Sequence, residues 1–146
     1  MLDVGDAAPA ISAQNQDDET VTPAFEDPTV VYFYPRDGTP GCTLEAQQFR
    51  DHHDAFRDVS AAVYGVSTDT VDDHAEFAAE EDLPFDLLAD PDGEVAGAFG
   101  LDVSEGFVER VTFVLAGGEV VAVVDADDVN PDGHAADVLA AVEDAS

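Results

Sequence analysis

Residues 30–45 read Val-Val-Tyr-Phe-Tyr-Pro-Arg-Asp-Gly-Thr-Pro-Gly-Cys-Thr-Leu-Glu and combine a strand-like run, a turn and the start of a helix. The apolar run is rich in β-branched and aromatic residues, which favours a buried central strand. The Pro- and Gly-rich turn then delivers Cys42, the one cysteine of the chain, to the first turn of a predicted helix. Because a helix N-terminus carries unpaired N–H groups and partial positive charge, this position favours a thiolate. The stretch therefore predicts a reactive sulfur, with a small buried thiol as the alternative.

The pattern on either side of this stretch predicts an alternating α/β chain. Residues 4–27 form an irregular or β-hairpin lead-in, further strands cover 61–67, 85–89, 111–115 and 120–124, and helices cover 43–59, 71–82, 92–99 and 133–143. The order indicates an α/β domain with a central mixed sheet, helices on both faces and an N-terminal extension. Cys42 then lies at the C-terminal end of the first core strand, where α/β sheets commonly place their chemistry.

Composition limits the class of protein. The chain has 146 residues and 45% hydrophobic content, which predicts one domain over residues 1–146 with a substantial core. The chain contains 4 Lys and Arg residues in total and 34 Asp and Glu residues, which gives a net charge of −30. Such a charge repels nucleic acid and anionic membrane surfaces, so neither is expected as a partner. The acidic residues are spread along the chain, which is typical of a solvated halophilic surface.

The sequence also predicts a cytoplasmic location. No apolar run approaches the roughly 20 residues that span a bilayer, and the first ten residues lack the basic and apolar regions of a secretory signal. One cysteine permits no disulfide within the chain. Lysine is absent, which excludes a Walker-type phosphate site and Schiff-base chemistry.

The spacing of Pro35, Thr39 and Cys42 fits the pattern P-x-x-x-T-x-x-C, which resembles the active-site motif of the peroxiredoxins. The wider string, with Glu45 and the later Arg-Val-Thr-Phe at 110–113, looks like the bacterioferritin-comigratory-protein subgroup, also called the Q type. The resemblance extends to His134 and covers nearly the whole chain. It implies a thioredoxin-like fold and the thiol-dependent reduction of hydrogen peroxide and organic hydroperoxides.

The resemblance also implies a role for each motif residue. Cys42 matches the peroxidatic cysteine, and Thr39 matches the residue whose hydroxyl contacts the peroxide and the sulfur. Arg110 matches the arginine that stabilises the thiolate and holds the peroxide oxygens. Pro35 matches the residue that shields the thiolate from water, and Glu45 matches the position that orients the arginine. No metal, haem or flavin is expected, because the thiolate performs the chemistry.

Physical chemistry agrees with these roles. A thiolate that breaks an O–O bond needs a stabilised charge on the sulfur and on the leaving oxygen, which a guanidinium, a hydroxyl and a helix N-terminus provide. Glu45 follows Cys42 by three residues and shares its helix face, so it could hold a guanidinium from position 110. The alternatives are a turn or cap role for Thr39 and a solvated surface charge for Arg110. His134, at the start of the last predicted helix, is interpreted as structural.

The chain departs from the Q-type pattern at one position. Typical members carry a resolving cysteine five residues after the peroxidatic one, and here that residue is Gln47. A one-cysteine mechanism is therefore implied, in which an external thiol, either a thioredoxin-like protein or a low-molecular-weight thiol, reduces the sulfenic acid. We expect a monomer or weak homodimer. The alternative function is a non-catalytic redox sensor or interaction module on the same fold.

Overall fold

A seven-stranded sheet forms the centre of the molecule. The computed structural model describes residues 1–103, 106–125 and 133–145. The strands are β1 (Ala13–Gln14), β2 (Thr20–Val21), β3 (Thr29–Phe33), β4 (Ala62–Ser67), β5 (Asp86–Ala89), β6 (Val111–Ala116) and β7 (Glu119–Asp125). Their order across the sheet is β2-β1-β5-β4-β3-β6-β7, with β3, β4 and β5 parallel and the other pairs antiparallel. The predicted mixed sheet is confirmed, and the lead-in contributes the hairpin β1–β2.

Helices cover both faces of this sheet, as predicted. They are α1 (Pro40–Asp51), α2 (His53–Asp58), α3 (Val71–Glu81), α4 (Glu94–Ala98) and α5 (His134–Ala145). On one face α1, α2, α3 and α5 contribute the buried side chains Phe49, Phe56, Phe77 and Val138. On the other face Val95 of α4 packs with residues of the N-terminal extension. None of the helices in the described ranges is both long enough and apolar enough to cross a membrane.

The register between β3 and β6 determines where the site forms. All five residues of β3 are buried, and Phe33 at its end pairs with Val111 at the start of the antiparallel strand β6. The residue before β6 is Arg110, and the turn after β3 leads into α1. Because antiparallel neighbours place the end of one strand beside the start of the other, Arg110 lies next to the turn that carries Cys42.

The predicted helix over 43–59 differs from the structure in two ways. It begins earlier, at Pro40, since a proline is well suited to the first helical position. It is also interrupted at His52, which separates α1 from α2. His52 is the C-cap residue of α1, and the Gln48 carbonyl oxygen accepts its backbone N–H at 3.0 Å and lies 2.9 Å from its ring Nδ1.

The other predicted elements are present with small changes at their ends. The glycine turn between β6 and β7 is confirmed, because Gly117 and Gly118 both have positive φ, at 60° and 79°. Thr70 caps α3, with its hydroxyl accepting the Asp73 backbone N–H at 3.2 Å. Such turns and caps depend on local chemistry, which explains why the sequence located them.

Candidate active site

Cys42 lies in the first turn of α1, where the sequence placed it. The helix begins at Pro40 after the N-cap residue Thr39, so Cys42 is its third residue. No acidic side chain occupies this first turn, and the positive end of the helix dipole is not neutralised locally. Cys42 is a free thiol and only 1% exposed. The sulfur is therefore held in a pocket with a low dielectric, beside unpaired helical N–H groups.

Arg110 joins Cys42 to Glu45. Its Nη2 donates to the Cys42 Sγ at 3.4 Å, and its Nη1 donates to Glu45 Oε1 at 2.6 Å. Both charged residues are buried, with Glu45 fully inaccessible and Arg110 4% exposed. A planar guanidinium presents several N–H groups in fixed directions, so a carboxylate on one side aims the others at the sulfur. The cluster therefore places a cation within hydrogen-bonding distance of the sulfur.

Burial and charge act in opposite directions on the two ionised partners. Burial raises the pKa of Glu45 from 4.5 to about 7, although the Arg110 guanidinium opposes this rise. Burial alone would lower the pKa of Arg110, but Glu45 and Cys42 outweigh it and raise that pKa above its ordinary value. Arg110 is therefore a permanent cation of this pocket, whereas Glu45 can change its protonation near neutral pH.

Thr39 and Pro35 lie in the turn before Cys42. The Thr39 carbonyl accepts the Thr43 backbone N–H at 2.9 Å, and its hydroxyl donates to the Arg36 carbonyl at 3.0 Å. The single hydroxyl proton is thus engaged with the turn in this state and is not directed at the sulfur. Pro35 is half-buried between β3 and α1. The structure therefore brings Arg110 directly to Cys42 and Glu45 to Arg110, and it makes Thr39 the N-cap residue of α1.

The sequence did not assign to the site two further buried residues, His134 beside Glu45 and Thr112 beside His134. His134 Nε2 lies 3.6 Å from Glu45 Oε2 and 2.6 Å from Thr112 Oγ1. His134 is 3% exposed and Thr112 is fully buried. Their positions within the family resemblance were the available signal, but the interpretation of His134 as structural missed its contact with the cluster.

A second buried network fixes the turn between β3 and α1. His74 of α3 is fully buried, with Nδ1 2.6 Å from Asp37 Oδ2 and Nε2 3.1 Å from the Leu88 carbonyl. The Tyr34 hydroxyl donates to Asp37 Oδ1 at 2.5 Å, and the Asp37 backbone N–H donates to Asp69 Oδ2 at 2.7 Å. Because the network joins the turn to α3 and β5, it holds the chain that leads into Cys42.

Gln47 occupies the position where the Q-type pattern has its second cysteine. Its Nε2 donates to Glu81 Oε1 at the end of α3, at 2.7 Å. Arg50, one turn further along α1, donates to the Glu81 carbonyl at 2.8 Å. These two bonds fasten α1 to α3 instead of offering a thiol to Cys42.

Comparison with known proteins gives consistent relatives. Residues 4–124 match the model of the AhpC/TSA family. The chain is 37% identical over 139 residues to a protein named peroxiredoxin Q, chloroplastic, from Oryza sativa subsp. japonica. That match covers 92% of this chain and 64% of the rice protein, so the chain spans slightly less than two thirds of that relative's length.

Solved structures resemble the chain over nearly its whole length. The crystal structure of peroxidoxin BcpB from Mycobacterium tuberculosis has a TM-score of 0.90 and 32% identity, covering 100% of this chain and 99% of that one. A bacterioferritin comigratory protein from Xanthomonas campestris, studied for its alkyl peroxide reduction activity, has a TM-score of 0.85 and 31% identity. It covers 96% of this chain and 99% of the Xanthomonas chain.

Proposed function

The chain belongs to the AhpC/TSA family, with relatives of the peroxiredoxin Q and bacterioferritin-comigratory type, and on this premise we propose that it is a thiol-dependent peroxidase acting through Cys42. The resemblance to peroxiredoxins and the thioredoxin-like α/β fold predicted from the sequence are confirmed. One observation carries the assignment of the site. A buried guanidinium, that of Arg110, contacts the one thiol of the chain and a buried carboxylate at once.

The first half of the cycle consumes the peroxide. The Cys42 thiolate attacks one peroxide oxygen, the S–O bond forms as the O–O bond breaks, and the leaving oxygen departs as an alkoxide or hydroxide that takes up a proton. The products are a sulfenic acid on Cys42 and an alcohol or water. Arg110 and the N–H groups of the first turn of α1 stabilise the negative charge as it moves from sulfur to oxygen. Thr39 contacts the peroxide once its hydroxyl turns from Arg36, and Pro35 limits access of water.

The second half of the catalytic cycle needs an external thiol. One external thiol attacks the sulfenic sulfur, which forms a mixed disulfide and releases water. A second thiol then releases Cys42 and leaves as the oxidised disulfide. The supporting observations are the single cysteine and the engagement of Gln47 with Glu81, at the position where the Q type has its second thiol.

Kinetics of three variants test this proposal. We expect Cys42→Ser to lose peroxide consumption, measured in molar KCl with a defined small thiol as reductant. Arg110→Ala should lower the rate by about a hundredfold or more, which is typical for the loss of one charge-stabilising group. The matched control is Arg57→Ala, which removes an exposed arginine on α2 and should leave the rate unchanged. Retained peroxidase activity in Cys42→Ser would exclude the mechanism.

Turnover separates the enzyme from the alternative of a redox sensor on the same fold. An enzyme consumes many equivalents of peroxide per chain when a reductant is supplied, whereas a sensor reacts once. The intact mass after peroxide, with candidate thiols added one at a time, also shows whether the sulfenic acid forms and which thiol reduces it.

The finer features are proposals of the same kind. The substrates are hydrogen peroxide and small organic hydroperoxides, and the reductant is a thioredoxin-like protein or a low-molecular-weight thiol. The chain acts in the cytoplasm as one domain over residues 1–146, as a monomer or weak homodimer. The net charge of −30 supports the proposal that any self-association is weak, because two copies repel each other unless salt screens their charges. Sedimentation across a salt series measures that association.

A further inference from the structure

His134 lies close to the cluster formed by Cys42, Glu45 and Arg110. It is the first residue of α5, and its ring reaches under α1 to approach Glu45 Oε2, the carboxylate oxygen that Arg110 does not bind. The Thr112 hydroxyl at 2.6 Å fixes the ring from the side of β6. Arg110 thus binds one carboxylate oxygen of Glu45, while the imidazole lies near the other oxygen, which accepts no hydrogen bond, at 3.6 Å.

The charges of the reactive state do not balance without a second cation. When Cys42 is a thiolate and Glu45 is a carboxylate, two anions face the single guanidinium of Arg110 within a pocket that is almost completely closed. An uncompensated buried charge is costly, so the pocket must either hold a proton on Glu45 or gain positive charge nearby. Among the described residues around Glu45, His134 is the side chain that can gain that charge.

The other described groups near Glu45 do not provide this charge. Arg110 is already cationic, and burial raises the pKa of Tyr32 well above its ordinary value, which keeps that phenol neutral. The edge of the Phe49 ring packs against the imidazole, and β7 contributes the apolar side chains Ala122 and Val124 to the same core. Asp132 precedes His134 by two residues in the sequence but lies outside the described residues.

We propose that His134 is a positioning residue of this active site, which takes up a proton when Cys42 becomes a thiolate and, once charged, attracts the Glu45 carboxylate and holds it for Arg110. The proposal rests on the function proposed for Cys42 and extends it to a residue 92 positions further along the chain. On this proposal the charge states of Cys42 and His134 are linked through Glu45.

Alkylation of Cys42 by iodoacetamide, followed against pH, tests the proposal without any peroxide. His134→Gln keeps an amide that can donate to Glu45 but cannot be protonated. We expect its alkylation rate at pH 7 to fall about tenfold, with the midpoint of the pH profile moved upward. The matched control is Gln48→Ala, which removes the 2.9 Å bond from the Gly133 backbone N–H and so weakens the same α1–α5 contact without changing charge. Its profile should match the unmodified protein.

Two outcomes of this experiment overturn the proposal. One is an unchanged profile in His134→Gln, and the other is an equal fall in Gln48→Ala, which would assign the effect to docking of α5. If the proposed peroxidase function failed instead, peroxide would not be consumed, but the alkylation profiles would still report on the coupling. The two failures are therefore distinguishable.

A second measurement leaves His134 intact and does not depend on the folding of its variant. The His134 imidazole resonance is titrated by NMR in the unmodified protein and in Cys42→Ser. Because a serine supplies no thiolate, we expect the imidazole to lose its proton at a lower pH in Cys42→Ser. Coincident titration curves would contradict the coupling.

Discussion

Glu45 is the residue that shows how burial alters a single side chain of this site. It lies one turn after Cys42 on the buried face of α1, and it is a carboxylate that is fully inaccessible to solvent. Burial raises its pKa to about 7 against the opposing effect of Arg110. The folded protein therefore holds a proton on Glu45 over a pH range in which the unfolded chain has released it.

This difference predicts how stability depends on pH. The contribution of Glu45 is fully present below pH 4.5, the ordinary pKa, and is lost as the pH rises through about 7. The free energy of unfolding of the unmodified protein, measured relative to Glu45→Gln, should therefore fall by up to about 3 kcal/mol across this range. Urea unfolding at pH 5.5, 6.5 and 8 in constant molar KCl measures it. The exposed Glu76→Gln serves as control, and a pH-independent difference for Glu45→Gln would refute the assignment.

At the scale of elements, the turn between β3 and α1 is fixed by the buried contact of Asp37 with His74, a residue from outside the turn. The Asp37 and His74 side chains are 7% and 0% exposed, and each also bonds a further element or residue. The Nε2 of His74 must donate to the Leu88 carbonyl, so a single shared proton links Nδ1 to Asp37. Loss of either partner leaves the other buried without compensation.

Asp37→Ala should therefore destabilise the fold and displace the turn that leads into Cys42. We expect a loss of about 3–5 kcal/mol in the free energy of unfolding, from the urea midpoint at constant salt. Asp58→Ala removes an exposed carboxylate at the end of α2 and should change this free energy by less than about 0.5 kcal/mol. The peroxidase rate should fall in Asp37→Ala alone. Equal effects of the two substitutions would show that the buried pair does not support the turn.

For the whole molecule, charge is the dominant property. The chain carries −30 with only four basic residues, and Arg110 is committed to the site while Arg50 joins α1 to α3. Few cations remain to offset the repulsion among the acidic residues. Compactness is therefore expected to depend on screening by salt, since the screening length is roughly 3 Å at 1 M and 10 Å at 0.1 M.

The melting temperature should fall as salt is removed. Between 3 M and 0.1 M KCl we expect a decrease of about 10 °C or more, because weaker screening raises the self-repulsion of the folded state. Sucrose at matched osmolality is the control, since it is excluded from protein surfaces but screens no charge. A melting temperature that stays the same from molar to millimolar salt would remove the support for a halophilic protein.

The sequence by itself determined the features that depend on neighbours along the chain. The buried run of β3, the turn and cap that begin α1 and the glycine turn before β7 follow from residues within a few positions, as does the placement of Cys42 in a first helical turn. The interruption at His52 was not predicted, because the helical pattern over 43–59 shows no break there.

Only the tertiary structure decided which distant side chains meet. Arg110 reaches Cys42 and Glu45 because β6 pairs antiparallel with β3, and sheet order is not encoded in any local pattern. The family resemblance anticipated that contact and included His134 without assigning it to Glu45, and nothing in the sequence pointed to the Asp37–His74 pair. These contacts form where helices pack on the sheet, and their burial, which alters the charge states, exists only once the chain is folded.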